Sequence, residues 1–463
     1  MGSFLPPNLA FVAKQMNNYS RNRFRLETTS TKTTLKPQDV ITVSLPESAL
    51  LDMKSFRMVF DAKSTKKVSG TEIPVFPASM LSLIERIEVY INGVQVQQGC
   101  SQYNTVCHIL NIGRGNNDHK DSAENISMKS HVDDLTADGS LTAPDKACVI
   151  DKWYGFLNET STRFLDTSLL GQIQVRLTLA PATVMIPFDD TNSKGFAMDI
   201  STNGLPTTAD FPASLNYELS SLYFTIDSIV VDPIYSMTLR DQLSREEYIP
   251  INYKEYYTYT LGGQNINKYQ NRFALSSSSI DKMYAVTRLN TYADGTQKAL
   301  LVTAQGGAAI QAGGGGDAHI APYFAFTSLD EPSASSTDKN NDFTYTWSIN
   351  NVQRPQYRAK LIEAATDLAY VNDKCGDYSA GVLPTSFSNF KTAQCVISCV
   401  LSHPDTPISV KSGLDSRGIN SQMVFDAQGL NTQEARKGYE SMVVVETTAS
   451  LRVTSGRSLG VIH

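Results

Sequence analysis

The sequence predicts an all-β chain built as two consecutive halves on one plan. Three observations carry this: apolar and polar residues alternate with period two in many short segments, one strand–turn–strand segment recurs in the second half of the chain, and clear helical stretches are few.

The alternation is cleanest at Ile173, Val175, Leu177 and Leu179, interleaved with Gln174, Arg176 and Thr178. Such a pattern gives a strand one buried and one solvated face. Phe56, Met58 and Phe60 repeat it, as do Ile87, Val89 and Ile91, then Phe224 and Ile226, then Tyr257, Tyr259 and Leu261. Many short strands separated by polar turns indicate sandwiches or barrels.

The repeat is more specific. Ile91-Asn92-Gly93-Val94-Gln95 is matched by Ile349-Asn350-Asn351-Val352-Gln353, and Gln98 by Gln356, 258 positions later. Asn-Gly and Asn-Asn tolerate positive φ at both central residues of a type I′ turn, so each copy predicts a hairpin. After each hairpin comes a helical spacing: Tyr103, Val106, Cys107 and Leu110 in the first copy, Leu361, Ala364, Ala365 and Leu368 in the second. Upstream, Ser82–Ile87 is echoed by Ser278–Met283 at a shorter offset, which places an insertion in the second copy around 291–345. Gly306-Gly307, Gly313 to Gly316 and the polar run Ser333 to Asn341 suit a surface excursion. The first half has its own, from Gly113 to Asp145. Pro233 to Tyr248 reads as a helical linker with Leu239, Leu243 and Tyr248 as its apolar contacts. The expected division is 1–240, including a basic N-terminal arm, and 241–463.

Composition agrees. A chain of 463 residues holds two ordinary cores, and 41% hydrophobic with 19% charged residues suits folded β structure. No apolar run reaches the roughly 18 residues of a membrane span, and no export signal opens the chain. Pro6 stands where a myristoylation motif needs Ser or Thr. Cys100, Cys107, Cys148, Cys375, Cys395 and Cys399 form no CxxC pair and read as small buried hydrophobes in a reducing compartment. The net charge of −6 opposes a surface that binds nucleic acid throughout. Residues 1 to 36 are the exception, with Lys14, Arg21, Arg23, Arg25, Lys32 and Lys36 against Glu27. This arm is a candidate contact for a genome or an acidic neighbour, weighed against a merely solvated strand.

Catalytic motifs do not survive inspection. Gly456-Arg457-Ser458-Leu459-Gly460 fits GxSxG but lacks the helix and the acid that a nucleophile elbow needs. The tetraglycine is followed by no Gly-Lys-Ser/Thr. His108, His119, His131, His319, His403 and His463 lie singly, without metal-ligand spacing. Asp133-Asp134 and Asp189-Asp190 read as solvated loop positions, and the sequons at Asn18, Asn125 and Asn158 as chance matches. No catalytic, cofactor or metal residue is nominated, so the chain is expected not to be an enzyme.

A basic first strand, then Ser82–Gln95 (SLIERIEVYINGVQ), a helix, and a second round opening with Asn271–Lys282 (NRFALSSSSIDK) together resemble the major capsid proteins of virophages and polinton-like viruses. The resemblance implies two consecutive eight-stranded antiparallel jelly rolls with short helices and long surface loops. It also implies homotrimers that tile an icosahedral double-stranded DNA virus shell, with penton and minor capsid proteins as partners and the virion as location. Some members carry a further C-terminal region that maturation removes; here the last strand-like segment is Leu451 to Ser455. The competing reading is a β-sandwich carbohydrate-binding or adhesin-type module; Trp153 and Trp347, far apart in sequence, supply no obvious sugar platform. A β-sandwich hydrolase is the third class, for which no nucleophile or acid pair was found.

Overall fold

In the computed structural model Ile173, Val175, Leu177 and Leu179 are fully buried while Gln174, Arg176 and Thr178 are not, so the period-two pattern becomes a strand with one core face. The structure describes residues 20–29, 32–64, 72–77, 79–98, 100–114, 146–189, 216–230, 248–264, 268–289, 343–372, 394–403, 407–417, 422–428, 439–454 and 458–463, with 237, 241, 244–245, 322–324, 326, 328 and 390.

The first half contains β1 (Ser20–Leu26), β2 (Thr34–Leu35), β3 (Val40–Ser44), β4 (Leu50–Ser64), β5 (Glu72–Val75), β6 (Ile84–Ile91), β7 (Val94–Gln97), β8 (Lys146–Ile150), β9 (Phe164–Asp166), β10 (Ile173–Leu179), β11 (Ile186–Asp189) and β12 (Tyr217–Val230). They form one sheet of order β1-β12-β4-β8, with β2 on β12 and β9 on β4, and a second of order β3-β10-β6-β7. Every described strand pairing in this half is antiparallel, and the chain switches sheets at most connections, which is jelly-roll topology. A β5–β11 ribbon lies beside them.

The second half contains β13 (Ile249–Gln264), β14 (Lys268–Ala274), β15 (Ile280–Leu289), β16 (Thr344–Ile349), β17 (Val352–Lys360), β18 (Ile397–Val400), β19 (Gln422–Gln428), β20 (Tyr439–Val453) and β21 (Leu459–Ile462). Their sheets are β13-β20-β15-β18, with β21 on β20, and β14-β19-β16-β17. With β2, β5, β9, β11 and β21 set aside, each half keeps eight strands in one order: first beside last beside third beside sixth, and second beside seventh beside the hairpin of fourth and fifth. The chain is two jelly rolls in tandem.

The repeated hairpins hold the same place, β6–β7 in one roll and β16–β17 in the other. Asn92 and Gly93 have φ of 48° and 79°, Asn350 and Asn351 of 50° and 68°. Glycine meets no strain there, and asparagine meets little. Replacing Asn351 with Val, whose β-branch disfavours positive φ, should lower stability by about 1–2 kcal/mol in a denaturant titration. Both expected helices form, Tyr103–Arg114 and Leu361–Asn372. The four predicted apolar contacts on each are buried.

Each core is closed by aromatics. Phe56 stacks on Phe224 at 5.4 Å and meets Trp153 at 5.7 Å, whose Nε1 donates to the Phe56 carbonyl (3.1 Å). Trp347 meets Phe425 at 4.6 Å in the second roll. Both tryptophans are 1% exposed.

Two expectations need correction. Ser82–Ile87 and Ser278–Met283 are not counterparts: the former leads into β6, beside β10 in the smaller sheet, while the latter opens β15, beside β20 in the larger. Local likeness of short amphipathic strands produced the match. The counterpart of β15 is β4, so the lengthened connection runs from 290 to 343, against 65 to 83 in the first roll. Nor is the stretch 291–345 simply a surface excursion. Tyr323, Phe324, Phe326 and Ser328 are buried, Phe326 forms a bridge with Gln394, and Thr344 and Tyr345 already belong to β16. Its glycine and serine runs lie outside the described residues, as does all of 115–145. Of the expected linker helix, Met237, Asp241, Ser244 and Arg245 are described and helical, while Leu239 and Leu243 lie outside.

Candidate assembly surfaces

The seam between the rolls is built on the free edge of β13. On its other side β13 pairs with β20; toward the first roll it meets residues 159–161. The Ser161 amide donates to the Asn252 carbonyl (2.7 Å) and the Lys254 amide to that of Glu159 (3.0 Å), around a Thr160–Tyr253 bridge. Backbone groups of this edge strand are thus satisfied inside the chain.

Side chains extend the contact. Tyr253 donates its hydroxyl to the Val96 carbonyl (2.7 Å), Tyr256 to Glu159 Oε2 (2.8 Å) and Thr258 to the Ser101 carbonyl (3.0 Å). Glu255 is wholly buried; its Oε1 accepts from the Gln98 amide (3.1 Å) and its Oε2 from the Tyr257 hydroxyl (2.9 Å), with His463 Nδ1 also at 2.9 Å. Phe156 meets Tyr253 edge-on at 5.2 Å. Aromatic pairs of this kind add about 0.5–1.5 kcal/mol beyond burial.

His108, on the helix after β7, packs against Phe324 (5.1 Å) and Phe326 (5.7 Å) of the second roll. Burial pushes this histidine down to about 4, so near neutral pH it packs as an uncharged plate. Arg288 reaches across to Gln102 Oε1 (3.3 Å), its charge met by Glu440 at 2.8 Å and its guanidinium over the Tyr323 ring at 4.5 Å.

On the outer face of each larger sheet a first-strand cation bridges two buried carboxylates. In the first roll Arg21 reaches Asp227 (2.8 Å) and Asp52 (3.3 Å), Arg23 reaches Asp227 (2.7 Å), and Arg163 grips Asp52 at 2.9 and 2.8 Å. Burial alone would push Asp227 up, yet hydrogen bonds from Arg23 and Arg21 hold it below the usual carboxylate range. In the second roll Lys254 Nζ lies 2.7 Å from Asp281 and 3.1 Å from Glu446. Burial opposes its charge, but Glu446 and Asp281 outweigh that and hold Lys254 above the ordinary lysine range. Asp281 also accepts from Ser279 Oγ (2.7 Å) and Thr448 Oγ1 (2.5 Å). Gly413 passes close by, and its amide donates to Ser279 Oγ (3.0 Å). A Cβ at 413 would run into the Ile280 carbonyl and the Asp281 carboxylate. Gly413→Ala should therefore cost about 1–3 kcal/mol, read from the thermal midpoint.

These pairs involve several cations of the basic arm. Arg21 and Arg23 pair with Asp52 and Asp227, Arg25 with Glu27 and Lys32 with Asp39, each cation keeping about half or more of its side chain exposed. Lys14 lies outside the described residues.

Other singled-out residues do not converge. Ser458 lies exposed in the turn from β20 to β21, its carbonyl accepting from the Thr454 amide. His403 is exposed, while His119, His131, His319, the tetraglycine, Asp133-Asp134 and the sequons at Asn18 and Asn125 lie outside the described residues. The sequon Asn158–Thr160 is part of the seam. Asp189 pairs along the backbone with Glu72. Cys100, Cys107, Cys148 and Cys395 are buried thiols outside any disulfide, and burial pushes Cys100 up to about 12. A depression of about 490 Å³ is lined by Thr29, Val40, Thr42, Tyr90, Gln174 and Arg176. With both tryptophans interior, Tyr90 is the one aromatic among the described residues lining it, which is poor material for a sugar platform.

No family model matches the chain, and no curated protein matches it. Among solved structures it is similar to the PBCV-1 virus capsid, with a TM-score of 0.58 at 11% identity over 96% of this chain and 97% of that one. It is similar to the faustovirus major capsid protein, at 0.51 and 8% identity over 94% and 91%, and to a chain of the Sputnik virophage, at 0.50 and 12% over 96% and 88%. At such identities the likeness establishes the fold, a double jelly roll spanning nearly the whole chain.

Proposed function

We propose that this chain is a major capsid protein that works by self-association: three copies close into a pseudo-hexagonal capsomer, and capsomers tile the icosahedral shell of a double-stranded DNA virus. The observation that carries this is the duplication. One polypeptide presents two walls of the same strand order, fused by a buried seam into one block. Three such blocks offer six similar walls, which can tile a near-hexagonal lattice while the molecule keeps threefold symmetry. The similar solved structures are virus capsids and a capsid protein.

Its work requires no reacting group, and its location is the virion. Penton and minor capsid proteins are the further partners of such a shell. A weak contact between the basic N-terminal arm and genome or inner components is a further candidate interaction. Multi-angle light scattering on the purified chain tests the reading: the mass of three chains is expected. A stable monomer that binds glycans on an array would overturn it in favour of the carbohydrate-binding module.

A further inference from the structure

Two histidines stand where the rolls meet, in opposite surroundings. Glu255 carries its carboxylate into the seam with a side chain 1% exposed, and among the described residues the group that pairs with its charge is His463, Nδ1 to Oε2 at 2.9 Å. The same carboxylate accepts from the Gln98 amide of the first roll and from the Tyr257 hydroxyl, so whatever holds its charge also holds the seam. A neutral imidazole can give Glu255 a hydrogen bond, but the imidazolium also cancels its charge. The other charged group acting on His463 is Lys411, a like charge whose Nζ is turned to Ser278 Oγ (2.6 Å), and β21 itself carries none. The hydrogen bond to Glu255 outweighs burial and Lys411, and holds His463 above the ordinary histidine range.

His108 has no such partner. It packs on the Phe324 and Phe326 rings of the second roll, and its Nε2 is buried without a hydrogen bond. On its own helix Asn104, Thr105, Asn111 and Ile112 flank it, none of them titratable. The helix Leu361–Asn372 packs on that helix, but its Glu363 accepts from Tyr357 and its Asp367 from Tyr345. Arg288 and Glu440, the ion pair of this contact, close on each other at 2.8 Å. A proton added to the His108 ring would be a charge buried without a counterion, which is why burial drives it down to about 4.

We propose that the seam is a two-sided proton switch: the rolls hold each other tightest with His463 protonated and His108 neutral, and the contact loosens on either side of a maximum near pH 6.5, roughly the ordinary histidine value. The signs follow from linkage. The His463 contribution is whole below the ordinary value and fades as the pH climbs through its raised one. The His108 contribution is whole above the ordinary value and is lost as the pH falls from there toward about 4. The switch lies within one chain and stands apart from how chains assemble.

Hydrogen exchange of the purified full chain at about pH 5, 6.5 and 9 tests it. Peptides holding the Gln98, Ser161 and Lys254 amides read the seam, and the β6–β10 pair serves as the reference within the same molecule. Seam protection relative to that reference is expected to peak at the middle pH. In His463→Gln the fall toward pH 9 should disappear. In His108→Leu the fall toward pH 5 should shrink by about tenfold. A variant whose profile follows that of the unaltered chain would overturn the proposal. Should a variant fail to fold, the unaltered chain decides: seam protection that stays level with the reference across the range overturns it as well.

Discussion

Replacing Lys254 with Met will destabilise the second roll by about 3–5 kcal/mol, because it strands Asp281 and Glu446 without their cation. Their side chains are 3% and 8% exposed, so water cannot take over the charge. Urea titration of the variant reads the loss directly. Adding Asp281→Asn and Glu446→Gln should recover most of it, since the cost lies in buried charge that has lost its nearest cation rather than in a missing attraction. The corresponding change in the first roll should behave differently. Arg21 is half-exposed, and Arg23 and Arg163 remain on the same two aspartates, so Arg21→Met should cost no more than about 1 kcal/mol. Equal losses at the two sites would contradict the assigned geometry.

The second large effect concerns Phe326. It is wholly buried against His108, and its carbonyl accepts from the Cys395 amide (2.9 Å). Phe326→Ala should cost about 3–5 kcal/mol through transfer and cavity. Deleting 322–328 removes Tyr323 and Phe324 as well and should abolish cooperative folding of the second roll, measured by near-ultraviolet circular dichroism. Unchanged folding would return the whole of 290–343 to the status of a surface excursion.

That segment shows where sequence reading stops. The run Pro322-Tyr323-Phe324-Ala325-Phe326 is dense in apolar residues, but the glycine and serine tracts around it hid it. The hairpins and helices were legible because each rests on local rules: positive φ for Asn-Gly and Asn-Asn, and a 3.6-residue spacing for Tyr103 to Leu110. The strand β21 was missed, since four residues including Gly460 carry little pattern of their own and are fixed by β20. The cation–carboxylate clusters were illegible in principle. Their members sit on three strands whose sequence separations differ between rolls, and the residue types change from Arg to Lys and from Asp to Glu. Register alone reveals that Arg21 and Lys254 do the same work. The seam was equally invisible, because Tyr253, Glu255 and Tyr256 read as an ordinary polar-aromatic strand until the first roll is placed against them.

Cryo-electron microscopy of the purified chain tests the central claim most directly. The account predicts threefold particles with six similar lobes around the rim, each pair joined by a β13 seam within one chain. Isolated two-lobed particles at high concentration would contradict it.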